Sequence, residues 1–138
     1  MHPYAATRAG LTPAPSKRLR AVKRLYSAAK NSWRGIVDGV KTEAAVREET
    51  VVLAVAVPVG FFIAPNPPWY VAMIGVLLGV MAIEFLNTAI EKLSDHVTPE
   101  HHYDIGRIKD FGSSAVFCGL CLTGLVWLAA LATRIGWF

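Results

Sequence analysis

The sequence predicts an all-α integral membrane protein, with an N-terminal amphipathic surface helix and three transmembrane helices. Three observations carry this. The 138 residues are 54% hydrophobic and 17% charged, with a mean hydropathy of +0.41, which is too apolar for an ordinary soluble domain. Residues 50–83 contain no Asp, Glu, Lys or Arg, and neither do residues 111–133. Ahead of both runs, residues 1–42 hold nine Lys or Arg against one acid, Asp38. The chain left outside the two runs is too short for a separate Rossmann or protein-kinase domain, so any chemistry must be done on membrane helices or at their ends. The net charge of +4 suits an anionic membrane surface better than nucleic acid, because the basic segment leads straight into lipid-seeking helices.

Residues 1–16, with Pro3, Gly10, Pro13 and Pro15, read as a disordered tail, since they cannot bury enough apolar surface to offset the entropy of ordering. Residues 17–138 read as one membrane domain. Between residues 17 and 41, Leu19, Val22, Leu25, Ala29, Trp33, Ile36, Val37 and Val40 recur at three- and four-residue steps among Lys and Arg. This is the pattern of an amphipathic helix lying on a membrane, with Trp33 as an interfacial anchor. A cleavable signal peptide is not expected, because the first long apolar stretch begins only near residue 50.

As one helix, the 34-residue run 50–83 would be about 51 Å long, beyond a hydrocarbon core of about 30 Å. It must turn, and Ala64 to Pro68, with three prolines, supplies the turn. The spans are then about residues 46–64, 69–90 and 113–133. The first is short and contains Pro58 and Gly60, features tolerated where a helix is kinked or packed inside an assembly. The bias of Lys and Arg toward the N-terminal segment and the 92–110 loop puts both on the cytoplasmic side of a multi-pass chain. Gly75 and Gly79, four residues apart in the second span, permit close helix approach. Cys118 and Cys121 lie inside the third span and read as packing or lipid-facing residues rather than a redox pair.

The chemistry-bearing residues begin on the second span. Glu84 lies about 22 Å along the axis from Trp69 and Glu91 about 33 Å, just beneath the interface and level with the headgroups. Glu84, Asn87, Glu91 and Asp95 fall at about 0°, 300°, 340° and 20° around the helix, one polar stripe about 80° wide. Carboxylates are costly in lipid and call for cations, partners or water. A helix-packing polar seam answers that demand, and so does a divalent-metal and general-base site for phosphoryl transfer. Glu43, Glu48 and Glu49 form a second acidic group at the start of the first span, from which Glu43 could share a metal with Glu91. The loop from His96 to Asp110 adds Glu100, His101, His102, Asp104, Arg107 and Lys109, a mixture suited to phosphates. The adjacent His101 and His102 are poorly spaced for zinc. Asp110, Phe111 and Gly112 spell the protein-kinase DFG triplet without the rest of a kinase, and no Walker A loop occurs.

The run Glu84–Asp95 (EFLNTAIEKLSD) closely resembles the signature of the prokaryotic diacylglycerol kinase family, small three-span membrane kinases unrelated to protein kinases. Gly106–Val116 (GRIKDFGSSAV), Asn31–Gly35 (NSWRG) and Glu43–Glu49 (EAAVREE) continue the resemblance. It implies ATP-dependent phosphorylation of diacylglycerol to phosphatidic acid by a homotrimeric helix bundle, with active sites between subunits at the cytoplasmic interface. By position, Glu84 would be the catalytic base and Asn87 would orient the reacting groups. Glu43 and Glu91 would hold Mg2+ on ATP. Glu91, Glu100, His102, Lys109 and Asp110 would contact the nucleotide, and Arg24, Ser32, Trp33, Glu49 and Glu84 the lipid. Two readings stand beside this one. Relatives of the fold phosphorylate undecaprenol, and a non-catalytic membrane assembly or transport subunit would use the acidic stripe to bind ions or seal helix contacts.

Overall fold

The structure is a computed structural model and describes residues 17–98, 100 and 102–137. The expected tail over residues 1–16, and His101, lie outside the described residues. Among those residues the chain is all-helical, with α1 at Lys17–Thr42, α2 at Ala44–Ile63, α3 at Pro67–Val97 and α4 at Tyr103–Arg134. It divides into one unit ending at Ile36 and another beginning at Val37.

In the first unit, Val22, Leu25, Tyr26 and Trp33 are all exposed, so α1 carries an outward apolar stripe of the kind that suits a lipid surface. The second unit opens with the end of α1. Glu43 is extended (φ −106°, ψ 124°) and breaks the helical path before α2. α2 continues through Pro58 to Ile63, and the Tyr70 hydroxyl donates to the Val57 carbonyl at 3.3 Å, tying the end of α2 to the start of α3.

Asn66 caps α3 by accepting the Trp69 amide at 3.1 Å. α3 begins at Pro67, two residues ahead of the expected span, because proline costs no hydrogen bond in a first turn whose amides lack partners anyway. α3 packs along both α4 and α2, whereas α2 and α4 touch far less. Its buried stripe is Met73, Val80, Glu84, Asn87 and Ser94, a spacing of sevens, threes and fours that keeps one face inward. The Trp127 indole donates to the Met73 carbonyl at 3.2 Å and fastens the far end of α4 to α3.

Within the chain, the close approaches fall at glycines other than Gly75 and Gly79. A Cβ on Gly75 or Gly79 would meet nothing within 4 Å, because both lie well around the helix from the Met73 stripe. Gly60 of α2 and Gly112 and Gly119 of α4 are the buried glycines that abut α3.

The fully apolar core is small, consisting of Val46, Ala56, Met73, Val80 and Ala130, while Phe61, Phe62, Leu86, Phe117 and Leu125 are among many large exposed side chains. So much outward apolar surface requires lipid or another chain to cover it. α3 and α4 are long and apolar enough to cross a membrane, with stretches of mean hydropathy 2.0 and 2.2. α2 carries Arg47, Glu48 and Glu49 in its first turns and is free of charge only from Thr50 to Ile63. Cys118 and Cys121 are free and exposed on α4.

α3 and α4 outrun the expected spans. α3 continues seven residues past Ile90, and α4 starts ten residues before Ser113. Charged residues end an apolar run without ending a helix, and a 31-residue helix is about 46 Å long against a hydrocarbon core of about 30 Å. The paired polar ends of α3 and α4 therefore form a stalk above the apolar zone.

Candidate functional site

Glu84 and Asn87 sit where the apolar part of α3 gives way to that stalk, and each is only 7% exposed. A carboxyl and an amide are costly to bury without partners. The Asn87 side chain donates through Nδ2 to Glu91 Oε1 at 3.2 Å. Its Oδ1 is buried and accepts nothing, facing the bare Cα of Gly112, where any Cβ would collide with it. Glu49 of α2 is near enough to interact electrostatically with Glu84, which also feels Glu91. Glu49 Oε2 is buried and likewise without a partner. Three carboxyls and an orphaned amide oxygen at a lipid boundary form a strongly electronegative spot, which a cation, a hydroxyl or both would relieve.

On the α2 side, Val52, Ala56 and Val59 follow Glu49 along the same helix face. They line an apolar groove of about 420 Å³ with Leu77, Thr123 and Trp127.

Glu43 lies at the junction of α1 and α2. Its Oε1 accepts the Lys92 ammonium at 2.8 Å and the Thr42 hydroxyl at 2.6 Å. These hydrogen bonds, Lys92 first, hold the Glu43 carboxyl below the usual carboxylate range, and the same contact raises Lys92. Among the described residues no three His, Cys, Asp or Glu side chains converge as a complete protein metal cage. Mg2+ does not ask for one, since it takes one or two carboxylates and fills its octahedron with waters and substrate phosphates. Glu43 and Glu91 are hard oxygen donors of that kind, so their chemistry suits such an ion.

Beyond Glu91, Asp95, Thr98, Glu100, His102, Ile105, Gly106 and Lys109 line a cleft of about 310 Å³ between the ends of α3 and α4. Lys109 pairs with Asp95 across it. His102 caps α4 by accepting the Asp104 amide on Nδ1 at 3.3 Å, which places the proton of its neutral ring on Nε2, available as a donor. Asp104 in the first turn of α4 complements the helix dipole.

The structure thus gathers Glu49, Glu84, Asn87 and Glu91 into one cluster, and Glu100, His102 and Lys109 into one cleft. Asp110 neighbours Lys109 in sequence but does not line the cleft. Arg24, Ser32 and Trp33 are exposed residues of α1, in the other unit. Sequence reasoning passed over Lys92, Thr42, Thr98 and the contact role of Gly112. Gly112 had a usable signal, as a glycine seven residues before Gly119 on a helix that must pack closely.

Residues 30–131 match the family model for prokaryotic diacylglycerol kinase. The diacylglycerol kinase of Haemophilus influenzae is 38% identical over 103 residues, covering 75% of this chain and 87% of the relative. That of Escherichia coli K12 is 34% identical over 113 residues, covering 82% and 93%. That of Pseudomonas aeruginosa is 32% identical over 121 residues, covering 88% and 98%.

Proposed function

The chain belongs to the prokaryotic diacylglycerol kinase family and is a membrane lipid kinase, and from that premise we propose that it phosphorylates diacylglycerol to phosphatidic acid with ATP. The proposed enzyme is a homotrimer in the bacterial inner membrane. α2, α3 and α4 each cross the bilayer, and α1 lies on the cytoplasmic face with the N-terminus in the cytoplasm. The excess of Lys and Arg in α1 and in the stalk supports that orientation. Membership in a kinase family sets aside the non-catalytic reading.

The observation that carries the reaction is the buried Glu84 carboxyl at the lipid boundary, one turn below Asn87 and two below Glu91. A diacylglycerol held in the leaflet, one acyl chain along the groove from Val52 to Val59, offers its hydroxyl at the depth of Glu84. Glu84 accepts the hydroxyl proton as the oxygen attacks the γ-phosphorus in line and the bond to the ADP oxygen breaks. Asn87, braced by Glu91 and Gly112, orients the reacting groups through its amide. Glu43 and Glu91 would hold Mg2+, which supplies neutralisation of phosphate charge when bound. Lys109, the Nε2 proton of His102, and Glu100 contact the nucleotide in the cleft, and Asp110, outside the cleft lining, is assigned to the nucleotide by resemblance alone. Arg24, Ser32, Trp33 and Glu49 are assigned to the lipid side on the same basis. Positioning and electrostatic stabilisation then supply most of the rate, and no covalent enzyme intermediate is needed.

The deciding experiment is transfer of labelled phosphate from ATP and Mg2+ in mixed micelles, with diacylglycerol and undecaprenol offered separately. Preferential labelling of diacylglycerol is the expected result. Preferential labelling of undecaprenol would keep the machinery and replace the substrate.

Glu91→Gln is expected to raise the Mg2+ concentration needed for half-maximal rate about tenfold or more, since it removes one of two carboxylates from a weakly caged ion. A Mg2+ titration that superposes on that of the unsubstituted protein would remove Glu91 from the metal site.

A further inference from the structure

We propose that Lys92 is a positioning residue that keeps the Glu43 carboxylate from a free divalent ion and yields it when the ion arrives as its nucleotide complex. The inference rests on the reading of Glu43 as a metal ligand. Lys92 Nζ lies 2.8 Å from Glu43 Oε1, and Thr42 donates to the same oxygen. That oxygen is taken up by Lys92, with the Thr42 hydroxyl shared between it and the Asp38 carbonyl, so an entering metal either displaces the ammonium or binds the carboxylate against the repulsion of its charge. Lys92 also senses Asp95 one turn further along α3, and Asp95 in turn pairs with Lys109. Glu43, Lys92, Asp95 and Lys109 thus form a ladder of alternating charge. It runs from the acidic end of the site into the cleft lined by Glu100, His102 and Lys109.

The direction of the exchange follows from charge and mobility. The Lys92 side chain is 63% exposed, so its long stem can swing without giving up packing. A free divalent ion approaching Glu43 meets an ammonium already in place, and Asp95, the neighbouring acid that could receive it, is already paired with Lys109. A metal bound to a triphosphate brings along an excess of negative charge, which attracts the displaced ammonium toward the cleft. Lys92 then changes partner from carboxylate to phosphate and helps hold the transferred group. Exposed ion pairs are weak, so the exchange is expected to shift affinity by no more than about fivefold.

The test is Mn2+ binding to the nucleotide-free, full-length protein in detergent, followed by the paramagnetic signal of the unbound ion. Lys92→Met should bind Mn2+ about fivefold tighter than the unsubstituted protein. Lys92→Arg, which keeps the charge, should restore the weaker binding. With Mn2+ and a non-hydrolysable ATP analogue together, Lys92→Met should lose the advantage or bind more weakly. Unchanged Mn2+ affinity in Lys92→Met, alongside weakened affinity in Glu43→Gln, would overturn the role of Lys92 and leave Glu43 as a ligand. Equal Mn2+ affinity with and without Glu43→Gln, in both the unsubstituted and Lys92→Met backgrounds, would remove Glu43 from the metal site and the proposal with it.

Discussion

Glu84→Gln is expected to lower turnover of diacylglycerol by at least about a hundredfold, the loss that follows when a positioned general base is removed. The substitution keeps side-chain shape at a position only 7% exposed, so it leaves packing intact. It also removes one charge from a cluster in which Glu84 interacts unfavourably with both Glu49 and Glu91. The thermal midpoint in detergent should therefore stay level or rise while activity falls, and affinity for the nucleotide complex should hold. Opposite signs for stability and activity are what a base in a strained acidic cluster predicts, whereas a mere packing residue would lose both together. Activity above about a tenth of the original, in protein that binds nucleotide normally, would argue that another group takes the proton.

Gly112→Ala is expected to lower turnover about tenfold or more and to lower the thermal midpoint, although alanine favours a helix over glycine by about 1 kcal/mol. The added methyl would run into the amide oxygen of Asn87. Asn87 must then turn away from Glu91, or α4 must move off α3. Overpacking of this kind costs about 1–3 kcal/mol, enough to outweigh the propensity gain. Gly119→Ala is the matched control on the same helix. Its Cβ would lie 3.2 Å from a methyl of Val80, a contact relieved by a few tenths of an ångström, so the propensity gain offsets the strain. If Gly112→Ala and Gly119→Ala behave alike in activity and melting, the Asn87 contact has no part in organising the site.

The polar stripe was legible because it is local. Glu84, Asn87, Glu91 and Asp95 lie on one helix, and the 3.6-residue period alone puts them on one face. Glu100, His102 and Lys109 were legible as phosphate-suited residues near that stripe, though the cleft they share arises only because α3 and α4 both continue as helices past the apolar zone. Reading charge as a boundary shortened both helices, since hydropathy reports the solvent around a helix and not the backbone path within it. Gly75 and Gly79 make no close approach within the chain, for a related reason. Their spacing shows that a close approach is sterically allowed, but the rotation of α3 toward α2 and α4 decides which face is used, and it uses the face of Met73, Val80 and Glu84.

By itself the sequence determined an all-helical chain, an amphipathic first helix, apolar helices that need lipid around them, and an acidic stripe at one end of α3. These follow from periodicity and from the cost of burying charge, which operate along a single helix. The tertiary structure alone decided that Gly112 abuts Asn87, that Glu49 joins Glu84, and that Lys92 reaches back to Glu43. Each of these pairs joins residues on different helices or across a helix junction, and only the rotational phase and axial register of packed helices determine which side chains meet.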